Sequence, residues 1–340
     1  MPAFASAGYN ARALPNTKAD NSISSVAALS AKLHGILLPI TTPFADSGEV
    51  DDRALRANIE QWNTTGISGH VVLGSTGERV NLDERESLQV VEVARAAVPG
   101  DLAFIVGAGQ QSTRGTINEL KRVAATVSVD AFLVITPHFY RSSITQQALI
   151  AHFESVAGES PVPVILYSMP ALTGIKIEPE TAARLSEHEN IIGIKDSSAD
   201  LAGLRSTIKL VRKDFAVLIG NGTVLNQALS AGACGGILAV GCVAPALCLA
   251  IARAVQSGDT AAAATLQAKL TPLAEAVTIR FGIGGLKAAL EMKGYVGGAV
   301  RAPLRAPDNE ARAEIRRCLE EADTALHELS VRQTEALAGP

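Results

Sequence analysis

The sequence predicts an α/β fold: a closed (β/α)8 barrel of the TIM type, followed by a C-terminal helical appendage. Three observations predict it. Short apolar runs recur along the chain from residue 35 to residue 240. Each is followed by a loop and a longer amphipathic stretch. The runs show almost no apolar/polar alternation, as parallel strands buried on both faces require. An open doubly wound sheet shares this order of strands and helices, but it places a glycine-rich phosphate turn after its first strand. Here the first run passes into Thr41-Thr42-Pro43-Phe44, which offers no such turn. The closed barrel is therefore the predicted architecture.

The strands are expected at residues 35–40, 70–73, 102–106, 131–135, 162–167, 191–195, 215–219 and 235–240. The helical stretches between them cover residues 51–65, 83–98, 113–127, 145–156, 179–187, 199–211 and 223–231. The first opens with Asp51 and Asp52, acids that suit a helix N-terminus. The second is stopped by Pro99-Gly100. After Val240 the strands cease, and residues 244–270 and 286–331 read as helical. The glycine-rich stretch Phe281-Gly282-Ile283-Gly284-Gly285 lies between them.

The expected organisation is a tail at residues 1–33, the barrel at 34–243 and C-terminal helices packed on it at 244–335. No linker separates two independent domains. The tail is rich in Ala and Ser and carries Arg12, Lys18 and Lys32 against Asp20. It fits a mitochondrial transit segment or a plain terminal tail, so the cytoplasm and the mitochondrial matrix are the two expected locations.

Composition excludes several classes. The net charge of −4 is scattered, with no basic block and no basic patch interleaved with aromatics. Nucleic acid is not an expected partner. Every long apolar stretch is broken by a charge or a helix breaker, so no membrane span is expected. Cys234, Cys242, Cys248 and Cys318 form no C-x-x-C pair and read as buried reduced thiols. The six histidines are dispersed, with no His-Glu-x-x-His. No carboxylate cluster has metal-ligand spacing either, so no metal site is expected.

A barrel carries its chemistry at the C-terminal ends of its strands. The sixth run, Ile191-Ile192-Gly193-Ile194-Lys195, closes an apolar stretch with a lysine. Desolvation there disfavours the ammonium form. A neutral amine can attack a ketone and form an imine. The alternative is a lysine that snorkels to solvent. The fifth run ends in Leu166-Tyr167; a phenol beside that lysine can relay protons, or it is an ordinary half-buried tyrosine.

The second run ends in Gly74-Ser75-Thr76-Gly77-Glu78. Its hydroxyls and backbone N–H groups, with Thr76 and Gly77 at the centre, can hold a carboxylate. The same residues also suit a capping turn. The fourth run ends in Thr136-Pro137-His138-Phe139-Tyr140-Arg141, an aromatic and cationic cluster in a chain with only 4% aromatics. It reads as a packed loop or as a reach toward substrate or a neighbouring subunit. Ser198, just beyond Lys195, is a further candidate for substrate binding. Gly107-Ala108-Gly109 and Gly220-Asn221-Gly222 lack the third glycine of a dinucleotide fingerprint and read as turns at the barrel mouth.

Taken together, these strand ends resemble the dihydrodipicolinate synthase / N-acetylneuraminate lyase family. The resemblance covers residues 35–304. It rests on Thr42-Pro43-Phe44 with Gly48 and Asp51, on the loop from Gly74 to Glu78, on Leu166-Tyr167 with Pro170, Thr173 and Gly174, and on Gly193-Ile194-Lys195. It implies that Lys195 forms the imine and that Tyr167 relays protons with Ser75. Thr76 then helps to hold the carboxylate of a small 2-oxo acid. Tyr140 becomes a second relay tyrosine, lent across an interface of a homotetramer built as a dimer of dimers. Leu238, on the eighth strand, lines the pocket for pyruvate. The family needs no cofactor.

Within the family, synthases carry an arginine two residues after the proline of the Tyr-Asn-x-Pro segment. Leu172 stands there in this sequence, and it cannot pair with a distal carboxylate. Two stretches instead resemble the branch that cleaves 4-hydroxy-2-oxoglutarate. One is Leu166-Tyr167-Ser168-Met169-Pro170-Ala171. The other runs from Arg280 through Gly294-Tyr295-Val296-Gly297-Gly298 to Arg301-Ala302-Pro303-Leu304. Thr76 departs from that branch, whose animal member has Asn there. Aldolases or dehydratases of 2-keto-3-deoxy sugar acids, the synthase itself, and a non-catalytic barrel that binds a 2-oxo acid are the alternative readings.

Overall fold

A computed structural model of the chain describes residues 29–338. The transit-segment expectation concerns residues that lie almost wholly outside these. The strands are β1 (Ile36–Pro39), β2 (Gly69–Val72), β3 (Ala103–Ala108), β4 (Ala131–Ile135), β5 (Val164–Ser168), β6 (Ile191–Asp196), β7 (Ala216–Ile219) and β8 (Gly235–Ile237). They pair in parallel in sequence order, and β8 closes onto β1. The fold is the predicted (β/α)8 barrel.

Two apolar layers hold it. The inner layer fills the barrel with Leu37, Val71, Ile105, Leu133, Ile165, Leu218 and Ile237. Leu29 and Leu33, on a helical turn at residues 29–33, join this inner cluster. The last residues assigned to the tail are thus part of the barrel. The outer layer sits between strands and helices and includes Leu38, Trp62, Val106, Phe132 and Leu238. Helix starts follow the sequence signals. Asp51 accepts from the backbone N–H groups of Arg53 and Ala54. Asp83 and Glu86 form a reciprocal capping box.

The C-terminal region departs from the expected two long helical stretches. The first divides into Pro245–Gln256 and Thr260–Ala274. Gly258 takes a left-handed φ of 76° between them, and Asp259 caps the second helix. The glycine-rich stretch is not a break. A wide π-helical turn, Glu275–Arg280, leads into the helix Gly282–Met292. Glycine is needed there because a Cβ on Gly284 would lie 2.2 Å from the Arg305 carbonyl oxygen. The final helix, Asn309–Ala338, starts only after a loop. Tyr295 in that loop stacks on Trp62 with ring centroids 5.1 Å apart. Among the described residues, no helix is long and apolar enough to cross a membrane.

Candidate active site

Parallel pairing of β5 with β6 sets Tyr167 directly beside Lys195. Both side chains are buried, with Lys195 only 5% exposed. The Lys195 Nζ stands 4.3 Å from the centre of the Tyr167 ring. Among the described residues, no carboxylate lies within ion-pair distance of that nitrogen. A second buried lysine, Lys287, is different. Its Nζ pairs with Glu78 at 2.5 Å. Burial pushes Lys287 below the usual lysine range, and the Glu78 carboxylate opposes that shift. Lys287 is held in an ion pair, whereas Lys195 has no ion-pair partner among the described residues.

The Ser75 hydroxyl lies 3.4 Å from the Tyr167 phenol oxygen, across the mouth from β2. The turn that carries it is tightly constrained. Ser75–Gly77 forms one 3-10 turn, flanked by Leu73 at φ 56° and Glu78 at φ 55°. Side chains rarely adopt this left-handed backbone, and such strain concentrates where surroundings enforce a geometry. Thr76 and Gly77 are buried within the turn. The Thr42 hydroxyl donates to the Gly77 carbonyl at 2.8 Å, so the end of β1 braces the end of β2. A cavity of about 350 Å³ adjoins the Ser75–Tyr167 pair on the side of β2, β3 and β4. Its wall includes Gly107, Gln110 and His138.

Three of the predicted residues, Lys195, Tyr167 and Ser75, therefore converge, with Thr76 and Gly77 on the same turn. The other three do not join them. Leu238 follows β8, which ends at Ile237. Leu238 packs in the outer layer, and Ile237 is the residue that joins the barrel interior. The Ser198 hydroxyl accepts from the Asp200 N–H at 3.2 Å, while the Ser198 N–H donates to Asp196 Oδ1 at 2.8 Å. It shapes the turn after β6. Tyr140 is 71% exposed and meets Phe139 edge-on, with ring centroids 5.1 Å apart. It stands outside the convergence in a single chain.

Sequence reasoning missed Gly220. A Cβ there would sit 1.9 Å from Ser197 Oγ and 2.8 Å from Lys195 Cε. The absent side chain makes room for the lysine stem. The available signal was Gly220-Asn221-Gly222 at the end of β7, which read only as a turn. Also missed were Thr41, Thr136 and Ser197, whose buried hydroxyls have no hydrogen-bond partner among the described residues. They follow β1, β4 and β6, at the end of the barrel where a polar ligand would meet them. Cys242, Cys248 and Cys318 are free and buried, as expected, and Cys234 is free and partly buried. Burial pushes the thiols of Cys234 and Cys248 up to about 12.

Residues 32–322 match the dihydrodipicolinate synthetase family. The chain belongs to this family. It is accordingly an enzyme of the aldolase-type carbon–carbon lyases. The 4-hydroxy-tetrahydrodipicolinate synthase of Methanothrix thermoacetophila is 36% identical over 283 residues, covering 83% of this chain and 94% of that protein. Among solved structures, the dihydrodipicolinate synthase of Acinetobacter baumannii complexed with pyruvate has a TM-score of 0.81 and 28% identity. That match covers 86% of this chain and 99% of that chain. YagE, a prophage protein from E. coli K12 in complex with pyruvate, gives 0.79 and 30%, with 85% and 98% covered. The curated relative bears the synthase name, whereas the resemblance drawn from sequence favoured another branch of the dihydrodipicolinate synthetase family.

Proposed function

We propose that the chain is a class I aldolase that cleaves 4-hydroxy-2-oxoglutarate to pyruvate and glyoxylate through a Schiff base on Lys195. The observation that carries the reading is the convergence of a buried amine, a phenol and a hydroxyl. The pyruvate held by two of the solved relatives supports a small 2-oxo acid as the ligand.

The reaction then runs as follows. The neutral Lys195 amine attacks C2, and the carbonyl oxygen leaves as water after taking one proton from the amine and one from solvent, which gives the protonated imine. The C4 hydroxyl passes its proton to the Tyr167 oxygen as that phenol hands its own proton to Ser75, whose hydroxyl proton passes in turn to water at the barrel mouth. The C3–C4 electron pair flows into the imine, and glyoxylate departs. The remaining enamine is protonated at C3 by the same relay in reverse. Water then hydrolyses the protonated imine, which releases pyruvate, restores the neutral amine and returns one proton to solvent. The Ser75-Thr76-Gly77 turn holds the C1 carboxylate, with Leu238, just after β8, as the apolar wall.

The branch is argued from Leu172, which is exposed on the short helix Pro170–Thr173. It stands where the synthase pattern has an arginine. The second reading is the synthase itself, favoured by the name of the curated relative. A panel of substrates separates the two. Pyruvate and glyoxylate formed from 4-hydroxy-2-oxoglutarate support the aldolase. Condensation of pyruvate with aspartate semialdehyde at a higher kcat/KM overturns it in favour of the synthase. Turnover of a 2-keto-3-deoxy sugar acid alone overturns both.

The assembly belongs to the same proposal: a homotetramer in which Tyr140 reaches a neighbouring subunit. The exposed Phe139–Tyr140 pair supports it. A fully active monomer in sedimentation overturns it.

A further inference from the structure

Behind the Ser75–Gly77 turn lies a cluster of charge that the reaction above does not use. Glu78 follows the turn directly, and its side chain is fully buried. Lys287, on the helix Gly282–Met292, meets it at 2.5 Å and is itself 2% exposed. The Lys287 Nζ also donates to the Ala299 carbonyl at 2.6 Å and lies 4.5 Å from the Phe44 ring centre. The backbone N–H of Arg301 donates to the other Glu78 oxygen at 3.2 Å. The Arg301 guanidinium covers the same Phe44 ring at 4.2 Å and bonds the Glu86 carboxylate. Phe44 in turn bridges to Ala299 through its backbone.

Two cations, two carboxylates and one ring thus tie the C-terminal segment to the binding turn. Stability alone is a poor reason for this. A buried ion pair must recover a large desolvation cost, and apolar residues of the same volume often do as well or better. What the pair does supply is a fixed position. Glu78 is held in a left-handed backbone conformation, and its carboxylate is clamped from the Lys287 and Arg301 sides. The preceding Gly77 has its carbonyl fixed by Thr42.

We propose that Glu78, Lys287 and Arg301 are positioning residues. They form a strap from the C-terminal appendage that holds Ser75, Thr76 and Gly77 in the geometry that receives the carboxylate of the 2-oxo acid. The inference rests on the Schiff-base reading above.

Full-length variants test it. Labelling of Lys195 by pyruvate and cyanoborohydride is followed by mass across a range of pyruvate concentrations, with thermal melting in parallel. Lys287→Met leaves a buried carboxylate unpaired and lowers the melting temperature. The double variant Glu78→Gln/Lys287→Met removes both charges and regains most of that loss. Both are expected to need at least about tenfold more pyruvate for half-maximal labelling, about 1.4 kcal/mol in binding. Full labelling at saturation is retained. Lys293→Ala, which breaks an exposed ion pair of the same appendage, leaves the half-saturation unchanged.

A stable double variant with half-saturation within twofold of the parent overturns the inference, since the pair is then only structural. An equal loss in Lys293→Ala also overturns it, as general loosening then explains the effect. A parent chain that never labels overturns the Schiff-base reading, and the strap's role falls with it.

Discussion

Lys195 and Tyr167 occupy matched positions on adjacent parallel strands, and the amine stands 4.3 Å from the centre of the phenol ring. The geometry leaves the phenol oxygen at the ring's far end free to reach Ser75. One side chain can thus pack against the nucleophile and still pass protons along a hydroxyl. This division of labour generates separate expectations for each residue.

Lys195→Met keeps the length of the stem and removes the amine. Labelling with pyruvate and cyanoborohydride should vanish, and turnover should fall to background, with melting little changed. Appreciable turnover by this variant would remove the imine from the mechanism.

Tyr167→Phe keeps the ring beside Lys195 and removes the relay oxygen. Imine labelling should persist while turnover falls by about 10²-fold or more, the usual scale for a placed acid–base group. Ser75→Ala should cost less, roughly fivefold, because a neutral hydrogen bond is worth about 1 kcal/mol. Single-turnover kinetics read both. An equal loss in the two variants would argue for a catalytic role of Ser75 beyond its link to Tyr167.

Gly220→Ala places a methyl against Ser197 Oγ and Lys195 Cε. Overpacking of this kind costs about 1–3 kcal/mol. The lysine stem must yield, so the rate of Lys195 labelling should drop by about tenfold, as small displacements of a reacting group lower rates steeply. An unchanged labelling rate would show that the stem has room to spare.

Acid should destabilise the fold from an unusually high pH. His70 and His152 are buried, and desolvation pushes them down to about 3 and about 4. The His70 Nε2–H donates to the Asn63 Oδ1 at 2.9 Å, and its Nδ1 has no hydrogen-bond partner among the described residues. In the unfolded chain both titrate near their ordinary value of 6.5. The folded values lie below this, so the stability they contribute is complete above pH 6.5 and is lost as pH falls below it. Each histidine costs about 1.4 kcal/mol per pH unit in that window. Glu86, held down to about 2 by Arg301, adds a loss in the same direction below its ordinary 4.5. Urea midpoints at pH 7.5, 6.0 and 5.0 should decline steadily, and His152→Gln should make the decline shallower. A flat profile would contradict the buried neutral histidines.

The sequence by itself determined the barrel and the chemical types at its mouth. Strands covered on both faces must be apolar throughout, so their number and order were legible as uniform runs. A lysine, a tyrosine and a serine at the ends of such runs must then meet, because all parallel strands of a closed barrel finish at one face.

Only the tertiary structure decided what depends on register and on distance along the chain. Which of Ile237 and Leu238 packs with the barrel interior depends on where β8 ends, a choice of one residue that reverses the face. The Ser198 hydroxyl went to a backbone turn, a local competition that sequence does not rank. Gly220 matters through an empty space beside Lys195, which exists only once β6 and β7 are paired. The strap is the extreme case. Arg301 reaches Glu78 across 223 positions, and no local pattern records which buried charges will meet when the chain closes.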